Sequence, residues 1–227
     1  MSRLVRAVFF DVDDTIVDYA ATARLALDEA MGAAGDYDLW QEISEPYFRR
    51  YDRGEIEFAA MRIERTAHFL RELGREDDSR RAADLETARF VCLNRSFVLF
   101  DDVLPCLAAL RERSLRLGVI TNNDGPHQRR KLAAVGLADS FDALAISGEL
   151  GSAKPDPAIF QHACTAIGVA SDAALHVGDR LDTDALGAVG AGLIGVWLDR
   201  RRAAGGERRV PVVSTLAELP ALVERAA

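Results

Sequence analysis

The strongest constraint on the fold is a set of short apolar runs that recur along the chain with helical patterns between them. Each run has the length of a β-strand and shows little alternation between apolar and polar residues. Such runs are typical of strands buried on both faces, as in a parallel sheet covered by helices. The runs are Val5–Phe10, Leu115–Thr121, Ala143–Ser147, Ala174–Gly178 and Leu193–Leu198. This alternation of strands and helices predicts an α/β domain with a doubly wound parallel sheet.

One long stretch, residues 18–98, breaks the alternation and contains only helical patterns. Apolar residues recur at spacings of three and four between Ile56 and Leu73, which predicts one apolar stripe along a helix. Further helices are predicted over Thr22–Met31, Leu39–Tyr51 and Arg81–Phe97. We therefore expect a helical insert of about four helices in the first connection of the sheet. Residues 1–17 and 99–227 would then form the α/β core.

The composition is that of a globular chain with an acidic surface. Hydrophobic residues make up 49% of it, and 28 lysines and arginines stand against 36 acids, for a formal net charge of −8. Because an acidic surface repels phosphate backbones, we expect no nucleic-acid polymer as a partner. A small anionic substrate remains compatible with this charge, since a pocket can be locally positive on an acidic body.

The cysteines and histidines show no pattern of a disulfide framework or a zinc site. Cys92, Cys106 and Cys164 are far apart and lack a CxxC spacing, which predicts reduced, buried thiols. No apolar stretch is long enough to span a bilayer or to act as a signal peptide. We therefore expect a cytoplasmic protein without a membrane partner, and the sequence carries no signal for its oligomeric state. None of the histidines has metal-ligand spacing, so none is assigned to a site: His68, His127, His162 and His176.

Acidic residues follow two of the predicted strands directly. The first strand leads into Asp11-Val12-Asp13-Asp14-Thr15, and the strand ending at Val177 leads into Gly178-Asp179-Arg180-Leu181-Asp182-Thr183-Asp184. Ligands of open parallel sheets bind beyond the carboxyl ends of the strands, where these acids are expected. The first segment alone would be interpreted as a solvated acidic turn. Together they predict a site for a hard cation such as Mg²⁺, which prefers oxygen ligands.

Groups suited to phosphate follow another strand and a stiff loop. Thr121 and Asn122 end a strand and lead into a helix, where hydroxyl, amide and N-terminal N–H groups can cradle phosphate. Lys154, in Lys154-Pro155-Asp156-Pro157, adds a cation just before the next helix. Taken separately, Thr121 is better explained as a cap and Lys154 as a surface charge. Their occurrence at strand ends together with the acids favours a phosphate site.

In this order along the chain, these residues resemble the four motifs of the haloacid-dehalogenase-like (HAD) superfamily, in its phosphatase branch. Asp11 to Thr15 is similar to its DxDxT motif, Thr121 to the second motif, Lys154 to the third, and Gly178 to Asp184 to the fourth, GDxxxxD. The resemblance implies a Rossmann-like core with a C1-type helical cap at residues 18–98. The short interval between Thr121 and Lys154 leaves no room for the alternative C2 cap.

The resemblance also implies a role for each motif residue. Asp11 would be the nucleophile that forms an aspartyl-phosphate, and Asp13 would protonate the leaving alcohol and later deprotonate water. Mg²⁺ would be bound by the Asp11 carboxylate, the Asp13 backbone carbonyl and Asp179. The remaining assignments are phosphate binding by Thr121, Asn122 and Lys154, and metal support by Asp184, for which Asp182 is a competitor. Asp14 stands where many members of the superfamily have glycine.

We therefore expect a Mg²⁺-dependent phosphatase of small phosphate monoesters such as sugar phosphates or nucleotides. Three alternatives stay open: a phosphomutase, a haloacid dehalogenase, and a non-catalytic member that binds a ligand. Asp13 argues against the dehalogenase, because halide leaves without a proton whereas an alkoxide needs one. Fold alone does not separate the phosphatase from the phosphomutase, since both share the core motifs.

Overall fold

A computed structural model describes residues 4–75, 79–201 and 209–226. The chain divides into two compact units. The core unit comprises Met1–Asp18 and Leu99–Ala227, and the helical unit comprises Tyr19–Val98. The second unit is thus an insertion within the first.

The core unit is built on a parallel sheet, as the apolar runs predict. Its strand order is β3-β2-β1-β4-β5-β6, and all neighbouring strands are parallel. The strands are β1 Ala7–Phe10, β2 Arg116–Thr121, β3 Ala143–Ile146, β4 Ala174–Gly178, β5 Ile194–Leu198 and β6 Val212–Val213. The first five lie within the predicted runs, and β6 is too short for a recognisable pattern. The prediction of an α/β fold is confirmed.

The strands lack alternation because helices cover both faces of the sheet. All four residues of β1 are buried, as are all five of β4. Gly118 of β2 lies beside the ring of Phe9, where an added Cβ would be 2.6 Å from the ring carbons. The position of the Phe9 ring over β2 therefore requires glycine at residue 118.

Two helices of the core unit begin at recognisable side-chain caps. The Asp124 carboxylate accepts the N–H of His127, and the Asp156 carboxylate accepts the N–H of Ala158, each at 2.9 Å. A proline in the first turn follows each cap, where its missing N–H costs nothing. The helices of this unit are α5 Val103–Glu112, α6 Gly125–Ala134, α7 Ser147–Leu150, α8 Pro157–Ala166, α9 Gly187–Gly190 and α10 Leu219–Ala226.

The helical unit contains four α-helices in its described residues. They are α1 Tyr19–Met31, α2 Tyr37–Asp52, α3 Phe58–Glu72 and α4 Ser79–Arg95. The four predicted helices overlap these spans. Within this unit α4 packs against α1 and α3, and α2 packs against α3.

A buried ionic cluster lies between α3 and α4. The Glu86 carboxylate accepts two hydrogen bonds from Arg89, each of 2.7 Å, and one of 2.8 Å from Thr66 Oγ1. The guanidinium groups of Arg65 and Arg89 lie 4.2 and 4.8 Å from the Trp40 ring centroid. Burial favours the neutral acid, but Arg89 and Arg65 outweigh it and lower the pKa of Glu86 from 4.5 to about 2.

The structure also bears on the predictions about the cysteines and about membrane-spanning segments. All three cysteines are free and buried, as predicted. No helix among the described residues combines the length and the apolar character needed to cross a bilayer.

Candidate active site

The strand order brings the predicted acids together at one edge of the sheet. Because β1 lies between β2 and β4, the carboxyl ends of these strands meet there. Asp11 follows β1, and its N–H donates to the Val177 carbonyl of β4 at 2.9 Å. Asp179 follows β4 directly. One carboxylate oxygen each from Asp11, Asp179 and Asp184 lies within 4.8 Å of the others.

Lys154 lies among these acids and is 6% exposed. Its Nζ donates to Asp11 Oδ1 and Asp184 Oδ1, each at 2.6 Å, and to the Ile120 carbonyl at 2.9 Å. The side chain of Asn122 fixes the backbone of Lys154 from the neighbouring loop. Asn122 Nδ2 donates to the Lys154 carbonyl at 2.9 Å, and Asn122 Oδ1 accepts the Lys154 N–H at 2.8 Å.

The acids carry more negative charge than Lys154 alone offsets. Burial raises the pKa of Asp11 from 3.8 to about 6, with Lys154 opposing this and Asp184 adding to it. Burial, and then the charge of Asp11, raise the pKa of Asp179 well above its usual value. Burial also acts to raise the pKa of Asp184, but Lys154 and His176 together outweigh it and hold this pKa below its usual value. The surroundings of Asp11 and Asp179 thus disfavour the charge of both carboxylates, and their oxygens form a donor set suited to a hard divalent cation.

Asp13 lies in a different environment from Asp11, although only Val12 separates them. Its side chain is 25% exposed, and Oδ1 pairs with the ammonium of Lys131. Its Oδ2 accepts hydrogen bonds of 3.3 Å from Asn123 Nδ2 and from Gln128 Nε2. Asp11 and Asp13 are thus held by different lysines.

The Thr121 hydroxyl is oriented by a residue of the following helix. Gln128 Nε2 of α6 donates to Thr121 Oγ1 at 2.8 Å. Because the hydroxyl oxygen accepts this bond, its own hydrogen is available to donate to an anion. Thr121 is 1% exposed and ends β2 beside the loop that carries Asp11.

The backbone of the loop after β1 turns sharply at Asp14. Its φ is +55°, in the left-handed region that favours glycine and tolerates aspartate or asparagine. The Asp14 N–H donates to the Val17 carbonyl at 2.8 Å and closes the turn. This conformation explains why aspartate can stand at a position occupied by glycine in many members of the superfamily.

The structure separates the two candidates for the last acid of the site. Asp184 is 1% exposed, whereas the Asp182 side chain is 70% exposed and pairs with Arg180 at 3.5 Å. A short π-helix, Leu181–Leu186, carries both residues. Such helices often occur at functional sites, and this one directs Asp184 inward.

Sequence reasoning missed four residues of the site, two of which flank its acids. His176, which the histidine spacing left unassigned, lies within β4 with Nε2 3.2 Å from Asp184 Oδ1. Lys131 lies on α6 and contacts Asp13. The others are Asn123 and Gln128. Gln128 and Lys131 are three apart and so share one face of a helix that starts at a strand end, which is the signal that could have identified them.

Comparison with known families supports the geometry. The family model described as haloacid dehalogenase-like hydrolase matches residues 5–192, well over half of the chain. The chain belongs to the haloacid dehalogenase-like hydrolase family. The match begins before β1 and ends after α9, and therefore includes every site residue described above.

Relatives of this haloacid dehalogenase-like hydrolase include phosphatases and a dehalogenase. N-acylneuraminate-9-phosphatase from Mus musculus is 32% identical over 97% of this chain and 94% of the mouse chain. Glyceraldehyde 3-phosphate phosphatase from Methanopyrus kandleri is 32% identical over 87% and 85% of the two chains. A solved 2-haloacid dehalogenase from Pseudomonas syringae pv. Tomato DC3000 is 28% identical, with a TM-score of 0.70 and coverage of 98% and 100%.

Proposed function

We propose that this hydrolase is a Mg²⁺-dependent phosphatase that acts on small phosphate monoesters through an aspartyl-phosphate on Asp11. The observation that carries the proposal is the contrast between the two carboxylates after β1. Asp11 is buried beside Lys154 and two further acids, whereas Asp13 is partly exposed and held by Lys131. A nucleophile and a proton donor need such different surroundings.

In the first step the Asp11 carboxylate attacks phosphorus and the bond to the leaving oxygen breaks. Asp13 supplies the proton that this oxygen needs to depart as an alcohol. Lys154 and the Thr121 hydroxyl bind the phosphate oxygens and stabilise their charge in the transition state. Asn122 contributes by holding the Lys154 backbone in place.

In the second step water attacks the aspartyl-phosphate and Asp13 accepts its proton. The bond between phosphorus and the Asp11 oxygen breaks, which releases inorganic phosphate and restores the Asp11 carboxylate. Asp13 ends the first step without its proton, so it is ready to act as the base. One carboxyl group therefore serves both steps.

The residues that would hold Mg²⁺ are Asp11, Asp179 and the Asp13 backbone carbonyl, with Asp184 in support. The ion would offset repulsion between the anionic phosphate and the nucleophile. The raised pKa values of Asp11 and Asp179 support this assignment, because both carboxylates lie in a setting short of positive charge.

Asp13 favours a phosphatase over a dehalogenase, although a dehalogenase shares the fold. Halide leaves as a stable anion, so a dehalogenase has no need for an acid next to its nucleophile. The two phosphatases described above support the same choice, since each is 32% identical to this chain, against 28% for the dehalogenase. We infer a substrate of the same class, a phosphate ester of a sugar, sugar acid, nucleoside or short hydroxy acid, and a cytoplasmic location.

Phosphate release from a panel of such esters tests the proposal. We expect turnover with Mg²⁺, none in excess chelator, and poor replacement by Ca²⁺, whose larger and looser coordination spoils in-line attack. Asp11→Asn should be folded and inactive, because an amide is a poor nucleophile. Full activity with chelator would exclude the metal, and turnover by Asp11→Asn would exclude the nucleophile. Isomerised phosphate ester without free phosphate would indicate a phosphomutase.

Asp13→Asn separates proton donation from metal support. The change keeps the backbone carbonyl, so Mg²⁺ affinity should change little. In single-turnover phosphorylation we expect a loss of about 10²-fold or more with alkyl phosphates and a much smaller loss with nitrophenyl phosphate. A nitrophenolate leaves without a proton, whereas an alkoxide does not. Equal losses for both leaving groups would remove Asp13 from this role.

A further inference from the structure

The chain contains only two lysines, and both lie in the candidate site. They are Lys131 and Lys154. The chain has 28 lysines and arginines in total, and the other 26 are arginines. Arginine thus serves wherever this chain needs a basic side chain on its surface. The positions that keep lysine instead are both buried, and each ammonium contacts one of the two carboxylates that flank Val12.

Lys131 is buried to a degree that a surface salt bridge does not require. Its side chain is 0% exposed, while that of its partner Asp13 is 25% exposed. Removing an ammonium group from water is costly unless it is paired and hydrogen-bonded. Lys131 therefore lies on the buried side of α6 and pairs with an acid whose side chain is partly exposed.

The contacts around Asp13 leave its carboxylate little freedom. Lys131 contacts Oδ1, while Asn123 and Gln128 donate to Oδ2 from a second direction. Gln128 and Lys131 lie on one face of α6, so a single helix contacts both carboxylate oxygens. Without the ammonium, the side-chain contacts left to this carboxyl group among the described residues are the two longer amide ones, both of 3.3 Å.

We propose that Lys131 is a positioning residue for the Asp13 carboxyl group, fixing the orientation in which Asp13 meets the leaving oxygen. This inference rests on the proposed function, in which Asp13 transfers the proton. Lysine suits this role because its ammonium is a compact charge on a slim stem. The guanidinium of arginine is broader and planar, so it would need more room at this fully buried position.

Lys131→Met tests the proposal, because it keeps the stem volume and removes only the ammonium. In single-turnover phosphorylation we expect a loss of roughly 10-fold or more with an alkyl phosphate and a much smaller loss with nitrophenyl phosphate. Lys131→Gln, whose amide can still donate to Asp13, should show the same leaving-group dependence with a smaller loss. It also serves as the second variant if Lys131→Met does not fold.

The matched control is Arg130→Met, the neighbouring residue on α6, which is exposed. It removes one positive charge at similar helix propensity, and we expect kinetics within about twofold of the wild type. In the Asp13→Asn background, Lys131→Met should cause little further loss, because its target is already gone. Equal losses with both leaving groups, or full additivity with Asp13→Asn, would overturn the proposal and leave a purely structural role.

A double-mutant cycle in melting temperature separates this inference from the proposed function. It compares the wild type, Asp13→Asn, Lys131→Met and the double variant. We expect the melting temperatures of Asp13→Asn, Lys131→Met and the double variant to be non-additive, because the two side chains share one contact. If the wild type released no phosphate from any ester, the proposed function would fail while the cycle still tested the coupling. Additive melting temperatures would overturn the coupling whatever the activity.

Discussion

Because Gly178 has no side chain, the Asp184 carboxylate can lie directly against the backbone of residue 178. A Cβ at residue 178 would lie 2.3 Å from Asp184 Cγ and Oδ2. Asp184 has little room to yield, since its oxygens bond Lys154 Nζ at 2.6 Å and the Arg180 N–H at 3.0 Å. A methyl group at Gly178 therefore acts on Lys154 through Asp184.

We predict that Gly178→Ala lowers kcat by about 10²-fold, since it displaces an electrostatic contact of the phosphate-binding lysine. Phosphate release under saturating substrate checks this. The matched control is Gly190→Ala, where an added Cβ meets nothing within 4 Å beyond its own helix and neighbours. That variant should keep wild-type activity. Unchanged turnover in Gly178→Ala would show that Asp184 does not position Lys154.

Three of the site residues that could be predicted from the sequence lie at or just beyond the carboxyl end of a strand. Asp11, Thr121 and Asp179 stand there, so knowledge of a parallel sheet was enough to bring them together. Lys131 and His176 lie inside a helix and a strand, and their roles depend on which way those elements face. Neither residue is distinguished from a core or surface residue until the packing is known.

At the scale of elements, the Glu86 cluster joins α3 to α4 by buried charge. The pKa of the Glu86 carboxyl group falls from 4.5 in the unfolded chain to about 2 in the folded protein. A carboxyl group with a depressed folded pKa stabilises the fold above its unfolded pKa, and this contribution disappears as pH falls through the folded value. The stabilisation, of order 3 kcal/mol, should thus be complete above pH 4.5 and lost toward pH 2.

We predict that Glu86→Gln lowers the free energy of unfolding at neutral pH by about 3 kcal/mol, because it leaves Arg65 and Arg89 buried without their anion. Urea unfolding between pH 7 and pH 3 measures the difference from wild type, which should shrink as the pH falls. Glu64→Gln is the control, since that side chain is 50% exposed and its pair with Arg50 lies at the surface. It should cost less than about 1 kcal/mol. A pH-independent difference for Glu86→Gln would contradict this account.

At the scale of the whole molecule, the cluster of Asp11, Asp179 and Asp184 predicts that metal binding stabilises the folded protein. An ion that binds the folded protein alone raises its melting temperature with concentration. We predict that Mg²⁺ raises the melting temperature of the wild type and has little effect on Asp179→Asn. Thermal unfolding over a Mg²⁺ series checks this. An equal rise in both proteins would mean that Asp179 is not a ligand.

The insertion predicts motion of the helical unit during the reaction cycle. Within the core unit the two connecting segments lie side by side, with Val17 bridging Leu99 and the Phe100 N–H donating to the Ile16 carbonyl at 3.1 Å. Adjacent connections form a natural hinge, so we expect the helical unit to close over the site and exclude water, as a cap does.

Spin labels at the exposed positions Glu42 and Glu112, one in each unit, measure this motion. We predict that Mg²⁺ with a beryllofluoride phosphate mimic changes their distance distribution in the wild type. Asp11→Asn, which lacks the carboxylate that the mimic joins, should show no change. If the distance distribution of the wild type does not change with the mimic, the helical unit does not close. Substrate selection must then lie in the loops of the core unit.

The position of β1 at the centre of the sheet has a consequence for synthesis on the ribosome. Ala7 pairs with Arg116 on one side and with Ala174 on the other, so the strand that carries the nucleophile is made first and completed last. The helical unit, contiguous from Tyr19 to Val98, is finished before either partner strand exists. Until then four apolar residues, Ala7–Phe10, lack their neighbours and present an edge prone to aggregation. In nascent chains arrested far enough beyond Val98 for the helical unit to leave the ribosome, that unit should therefore resist protease while Ala7–Phe10 remains cleavable.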